Sequence, residues 1–283
     1  MKNILLPTDF SENAYNAALY SLQLYREEYC NFFLLHSYEV EGYFTGSVFV
    51  AKPNTQIIKT SKNSSDEKLN ILKNSLENLS SPIYHRFETV SRNIELDQAV
   101  NLEIRARKIE VLIIGTQGVT AARDVAFGNN TINLMENVTN CPVLAVPSHV
   151  KYTGIKEVVL PTGFKIAYGP GVLDYLFSLL KSHHSPLRVL HIEEGGLDTL
   201  QEENHNELTT LLDQVPHSFH YLSYVTVPVG IYCFTESRGS DMIAFLNKKH
   251  SFFENLLFEP LYKKIGNFSQ IPVLVLQVDN TIR

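Results

Sequence analysis

Between residues 115 and 131 three glycines stand at a distinctive spacing: Gly115, two residues, Gly118, nine residues, Gly128, then Asn129, Asn130 and Thr131. Glycine lets a backbone approach a ligand with no side chain in the way, and a helix starting just beyond offers unpaired N–H donors and a positive dipole end. Such a combination holds anions, phosphate esters above all. A second concentration of polar groups lies near the start, where an apolar run ends in Pro7-Thr8-Asp9. The glycine spacing is neither the dinucleotide G-x-G-x-x-G nor a phosphate loop ending in Gly-Lys-Ser/Thr. The sequence offers no phosphate-loop lysine, no paired carboxylates at a defined spacing and no Ser/His/Asp set that could be assembled from it. The chemistry on offer is therefore holding a ligand rather than turning it over.

These loops need strands to carry them, and the strands recur. Residues 4–10, ILLPTDF, match 158–164, VVLPTGF; 34–36, LLH, match 189–191, VLH; and 142–146, PVLAV, match 272–276, PVLVL. The offsets are 154, 155 and 130, so the second copy lacks about 25 residues from its middle, and the stretch 41–65 is the candidate. Each segment is a short, nearly continuous apolar run, the pattern of strands buried on both faces of a parallel sheet. Helical periodicity separates them. Residues 11–29 place Ala14, Ala17, Ala18, Leu22 and Tyr25 on one face; 66–79 follow a capping-box spacing, Ser64-x-x-Glu67, with Leu69, Leu72, Leu76 and Leu79; 94–108 carry Ile94, Ala99, Leu102 and Ala106. A strand at 110–114 and a short helix at 131–139 complete the first copy.

In the second copy the pattern predicts strands at 157–160, 187–192, 219–227, 242–246 and 272–278, and helices near 169–182, 197–213 and 229–238. The fold class is α/β, with two tandem, doubly wound, five-stranded parallel-sheet domains: 1–147, a linker 148–156, and 157–283.

Bulk properties exclude several roles. A net charge of −6, shared evenly between residues 1–150 and 151–283, leaves no basic stripe to neutralise phosphate backbones, so nucleic-acid binding is excluded. At 44% hydrophobic residues with 16 Phe and 14 Tyr, the chain can bury two cores. Cys30, Cys141 and Cys233 are an odd, scattered set, neither a disulfide framework nor a zinc pattern, which points to a reducing cytoplasm. No apolar run has the length of a membrane span and MKNILLPTDF is no signal peptide.

With the glycine loop after the fourth strand and PVLAVP beyond it, the sequence resembles the universal stress protein family. ATP-binding members of that family carry Gly-x2-Gly-x9-Gly-Ser/Thr after the fourth strand and an Asp after the first. The strand pattern extends the resemblance over nearly the whole chain, and the implied fold is that of the adenine nucleotide alpha hydrolases and their relatives. Carried over, it makes Asp9 the adenosine-facing acid beside Pro7 and Thr8, puts Ser37 near the base, and gives Gly115, Gly118, Gly128, Asn129 and Thr131 to ribose and phosphates. Any magnesium would ride on the phosphates of ATP. Asn129 departs from the family's Ser or Thr, keeping an amide donor but losing the hydroxyl. In the second copy Gly163 replaces the acid. An offset of 130 sets Phe245, Lys248, Phe258 and Glu259 against Gly115, Gly118, Gly128 and Asn129, which removes the cradle.

The implied function is a stress-response module that binds an adenine nucleotide in its first domain and acts on an unknown protein partner, with no turnover or only very slow hydrolysis. The alternatives are a nucleotide-free scaffold working by protein contacts, and an adenylating hydrolase revealed by slow release of AMP and pyrophosphate. Family members often pair through the last strand, so 142–146 and 272–276 would form an internal pseudo-dimer, with a homodimer as the further option. Plainer readings stand beside the functional ones. Asp9-x-x-Glu12 could cap the first helix, Arg123 could be a solvated loop charge, His36 and His191 could share a packing role, and His183-His184 should be exposed. Segment 247–258 reads as a helix burying Phe252, Phe253 and Phe258; loop 41–65, with Tyr43, Phe44, Val48 and Phe49 between Gly42 and Gly46, could be a lid or partner surface.

Overall fold

The apolar runs become strands and the 3.6-residue patterns become the helices that cross between them. In the computed structural model, which describes residues 1–40, 43–45, 48–50, 55–116, 127–193, 195–247 and 271–278, the first half is built from β1 (Lys2–Pro7), α1 (Glu12–Leu24), β2 (Cys30–Ser37), an antiparallel ribbon of β3 (Tyr43–Thr45) and β4 (Val48–Val50), α2 (Thr55–Leu79), β5 (His85–Arg92), α3 (Leu96–Arg107), β6 (Val111–Gly115), α4 (Asn129–Asn137) and β7 (Val143–Val146). The second half follows with β8 (Val158–Pro161), α5 (Asp174–His183), β9 (Leu187–Glu193), α6 (Thr199–Leu212), β10 (His217–Ser223), α7 (Val227–Arg238), β11 (Met242–Asn247) and β12 (Val273–Gln277).

All but the ribbon strands lie in one ten-stranded sheet of order β10-β9-β8-β11-β12-β7-β6-β1-β2-β5. Within each half the strands are parallel and the order reverses beside the first strand, between β1 and β6 and between β8 and β11. That reversal opens a crevice at the carboxyl ends of the strands, where ligands bind in open α/β sheets. The halves join edge to edge: β12 runs antiparallel to β7 with Leu274 opposite Leu144, so neither last strand is left with a bare edge. Alternate residues of each strand feed two apolar layers, Ile4 and Leu6 on one side and Leu5 on the other.

The strand register agrees with two of the expected offsets and differs at a third place. With Ile4 set on Val158, the β1–β2 and β8–β9 pairings give the expected offset of 155, from Phe32 to Leu187. The β2–β5 and β9–β10 pairings give 130, from Phe87 to His217, so the lost material does lie between the second and third parallel strands. It comprises the β3–β4 ribbon and part of α2, which has 25 residues against 14 in α6. The fourth strands, however, are offset by 131: Val111 matches Met242 through their pairings to β1 and β8. Leu246 and not Phe245 therefore stands in the place of Gly115, while Phe245 matches Ile114 and shares its apolar layer.

Several expected boundaries move. Ser64 lies inside α2 and caps nothing, because that helix starts at Thr55. On α3 the buried face is Ala99, Val100, Glu103 and Ile104, not the stripe through Leu102, which is exposed. The carboxylate of Glu103 is buried because Arg92 and Arg107 both donate to it. α5 starts at Asp174 rather than near 169, and β10 ends at Ser223 rather than 227. His183 is half-buried beside Tyr152, while His184 is exposed as expected. Gly42, Gly46, Gly118, Arg123, Lys248, Phe252, Phe253, Phe258 and Glu259 lie outside the described residues.

Candidate functional site

The turn after β1 is fixed by three consecutive side-chain bonds to the backbone. Thr8 Oγ1 accepts from Phe10 N at 3.0 Å, Asp9 Oδ1 from Ser11 N at 3.0 Å, and Ser11 Oγ from Ala14 N at 3.1 Å. Ser11 is thus the N-cap of α1, and Asp9 precedes the cap rather than forming it. Phe10 takes a left-handed conformation, φ 64°, tolerated because its ring packs on His36 with centroids 4.6 Å apart and Lys68 Nζ lies 5.6 Å from its face. His36 in turn bonds through Nδ1 to Ser65 Oγ at 2.8 Å, and Ser65 to Ser91 at 2.8 Å. Burial first, then the Lys68 ammonium, lower the His36 pKa, partly offset by Asp9, so the ring is neutral at pH 7. Asp9 itself is exposed at the tip of the turn.

The second wall is the end of β6 and the start of α4. Gly115 must be glycine: a Cβ there would lie 2.8 Å from Cγ of Asn13, the side chain by which α1 leans on β6. Gly128 is the N-cap of α4, and its N–H donates to Thr116 O at 2.7 Å. One turn on, Thr131 Oγ1 donates to Gly115 O at 2.9 Å. These two bonds fasten the helix start to the strand end and leave Asn129 and Asn130 exposed in a first turn without an acidic residue. The result is an anion-compatible helix start beyond the end of β6 and an exposed carboxylate beyond the end of the neighbouring strand β1.

Of the nine residues expected at the site, Pro7, Thr8, Asp9, Gly115, Gly128, Asn129 and Thr131 converge on the β1–β6 crevice. Ser37 lies one strand further out, at the end of β2, where its hydroxyl donates to Ile94 O; Gly118 lies outside the described residues. Asn13, Phe10, Lys68 and Ser65 were not singled out from the sequence. Phe10 had a visible signal, the matched Phe in TDF and TGF, and Asn13 had a weaker one, a polar residue on the apolar side of α1.

The second half keeps the turn and fills the crevice. Thr162 Oγ1 accepts from Phe164 N at 3.0 Å, Phe164 is left-handed at φ 54°, and its ring lies 4.9 Å from His191, a copy of the Thr8–Phe10–His36 arrangement. His36 and His191 thus share the packing role expected of them. Beyond the turn the halves diverge. Residues 165–173 do not continue a helix, and Tyr168, 1% exposed, folds back so that its hydroxyl bonds Thr162. Gln201 Nε2 and Asn204 Nδ2 of α6 cap the carbonyls of Gly163 and Phe164 at 2.7 Å each, and buried Leu246 replaces Gly115. Tyr168, Gln201 and Asn204 thus pack around the turn after β8, and Leu246 closes the end of β11.

Strand order and crossover helices define a doubly wound α/β protein built of two similar halves, which differ most beside the first strand of each. The sequence pattern of the universal stress protein family matches residues 1–147, and the chain belongs to that family. Its fold is similar over 98% of the chain, at a TM-score of 0.64 and 16% identity, to a universal stress protein from Archaeoglobus fulgidus, of which 97% is covered. A protein assigned to the same family from Pseudomonas aeruginosa matches at a TM-score of 0.58 and 13% identity, over 98% of this chain and 93% of that one. The cytoplasmic domain of a prokaryotic cation chloride cotransporter matches at 0.50 and 10% identity, over 98% and 95%. At these identities the likeness is one of fold. No curated protein matches the chain by sequence.

Proposed function

We propose that the first half binds an adenine nucleotide, ATP or a close relative, in the crevice between β1 and β6, and that the protein serves a stress response through the liganded conformation rather than through turnover. The observation that supports this best is the asymmetry of the two halves. Both keep the same strand order and the same Thr–Phe–His turn, yet the first carries an exposed acid, Asp9, after its first strand where the second has Gly163, and Gly115 at the end of its fourth strand where the second has buried Leu246. In the second, Tyr168, Gln201, Asn204 and Leu246 consume the equivalent space. Phosphate oxygens would take the N–H groups at the start of α4, and the Asp9 carboxylate would accept from a ribose hydroxyl. Magnesium, where present, would bind through the phosphates. Among the described residues no group of three or more His, Cys, Asp or Glu is arranged to hold a metal by itself.

The test is direct. Full-length protein purified without added nucleotide is denatured and the supernatant identified by mass, and stripped protein is titrated with ATP by calorimetry. Released adenine nucleotide, or saturable binding below millimolar concentration, supports the reading; an empty chain that gives no heat with millimolar ATP overturns it. The buried bonds of Ser37 and Thr131 and the filled second crevice favour one other reading, a scaffold whose partner binding is indifferent to ATP. Partner capture with and without nucleotide separates the two. A cytoplasmic setting belongs to the same reading and rests on the odd, scattered set of three cysteines, of which Cys30 and Cys141 are buried and Cys233 exposed. No described helix is long and apolar enough to cross a membrane.

A further inference from the structure

We propose that Asn247 and Gln277, on β11 and β12 of the second half, are positioning residues for the helix start at Gly128–Thr131 of the first half, acting through α4. The inference rests on the nucleotide reading above. Helix α4 is fastened at both ends by different halves of the molecule. Its start is held by the first half, through Gly128 N to Thr116 O and Thr131 Oγ1 to Gly115 O. Its last-turn carbonyls, which a helix leaves without internal partners, are met by the second: Asn247 Nδ2 donates to Met135 O and Glu136 O at 3.1 Å each, and Gln277 Nε2 to Met135 O at 3.3 Å.

Asn247 and Gln277 are register partners on adjacent strands, and Asn247 Nδ2 also bonds Gln277 Oε1 at 2.8 Å, so the two amides form one preset clamp. Asn247 is 5% exposed and Met135 fully buried, so water cannot replace the clamp without opening the junction.

Nine residues of helix form a rod of about 14 Å, short enough that a shift at one end is felt at the other. Freed carbonyls at the far end would let α4 slide or fray and would misalign the N–H groups that start at Asn129. The register position of Asn247 in the first half is Thr116, which fastens Gly128 within its own crevice. In the second half that position reaches across the junction instead. Coupling of this kind is reciprocal: nucleotide at the start of α4 tightens the clamp, and the second half feels the ligand state at the end of β11.

The experiment uses the full chain with three substitutions: Asn247→Leu, Gln277→Ala, and Val189→Ala in β9, a buried site remote from α4 that serves as a control for general loss of stability. ATP affinity is read by calorimetry, and amide exchange of residues 131–137 is read without nucleotide. The expected result is at least a fivefold loss of affinity for Asn247→Leu, a smaller loss for Gln277→Ala, less than twofold for Val189→Ala, and faster exchange in Asn247→Leu at both ends of α4. If wild type binds ATP and the two clamp variants bind it as tightly as Val189→Ala does, the inference is overturned; exchange that quickens only in the last turn also overturns it. Should Asn247→Leu fail to fold, Gln277→Ala carries both readouts. A wild-type chain that binds no ATP sinks the functional reading instead, and the exchange result still decides whether the clamp positions the helix.

Discussion

A polar group already bonded inside the fold has little left for a ligand, and this sorts the candidate residues. The hydroxyls of Ser37 and Thr131 are spent on Ile94 O and Gly115 O and are turned into the fold, whereas Asp9, although its Oδ1 accepts from Ser11 N, and Asn129 are exposed to solvent. Asp9→Ala should therefore weaken ATP binding about tenfold or more, the scale of losing a charge-assisted hydrogen bond. Asp9→Asn, which keeps an acceptor for Ser11 N, should separate loss of charge from loss of the turn; unchanged calorimetric affinity in both would remove Asp9 from the site. A second titratable group makes a prediction about stability. Burial alone would raise the Glu157 pKa, but hydrogen bonds from Arg238, Arg188 and Ser240 outweigh it and hold the carboxylate at about 2 instead of 4.5. Between those values the folded chain binds fewer protons than the unfolded one, so its contribution is complete above pH 4.5 and is lost as pH falls towards 2. Glu157→Gln should cost about 1–2 kcal/mol at neutral pH, allowing for screening at half-exposed Arg238, and should flatten the acid limb of a denaturation series over that window. These groups differ in how far the sequence discloses them. Asp9 and the glycines are legible because type and spacing carry the signal; the Glu157 cluster is not, since Arg238 lies 81 residues away and only folding brings it near.

The elements show the same division. Strands buried on both faces leave uninterrupted apolar runs, so β1, β2, β6, β7, β11 and β12 can all be found from sequence alone, and the repeat orders them. Helix starts are harder. The first two turns of α2 are polar and exposed apart from isolated isoleucines, so nothing in their pattern announces a helix, and Ser64-x-x-Glu67 further along mimics a cap. The α3 stripe misleads because Glu103, a charge that reads as solvent-facing, is paired from two sides and buried. The one-residue slip at β11 is a matter of register, which hydrophobic pattern alone fixes poorly inside a strand apolar on both faces. The contact between α1 and β6 can be tested as a unit. Gly115→Ala should destabilise the chain by about 1–3 kcal/mol, because the new methyl meets Asn13 at 2.8 Å. Asn13→Ala on top of it should recover part of the loss, giving a favourable coupling energy in a thermal-melt cycle; additive losses would mean that the close approach does not limit the choice of residue at 115.

At the level of the molecule the two halves are held by more than one strand pair. Beside the β7–β12 seam, Tyr25 at the end of α1 and Tyr175 of α5 bond hydroxyl to hydroxyl and Lys2 reaches Ser178, while Asn16 fastens the linker by donating to Val150 O. β7 is apolar on both faces and only four residues long, so a chain ending at residue 147 would present it unpaired. Residues 1–147 expressed alone should self-associate, with a sedimentation mass of twice the fragment or larger, while the full chain supplies that edge from within. A monomeric fragment of native-like helicity would show that the seam is dispensable.

The seam also decides what such a protein can report. When two copies of one polypeptide meet along their last strands, any substitution that plugs one crevice plugs its twin, and the pair stays symmetric. Joining the copies end to end removes that tie: Tyr168 can fold onto Thr162 in one half, and Leu246 can stand where the other half has Gly115, with the antiparallel seam intact. Under the proposed nucleotide reading, occupancy then has a direction, from a half that senses to a half that listens, which a symmetric pair of identical chains cannot possess.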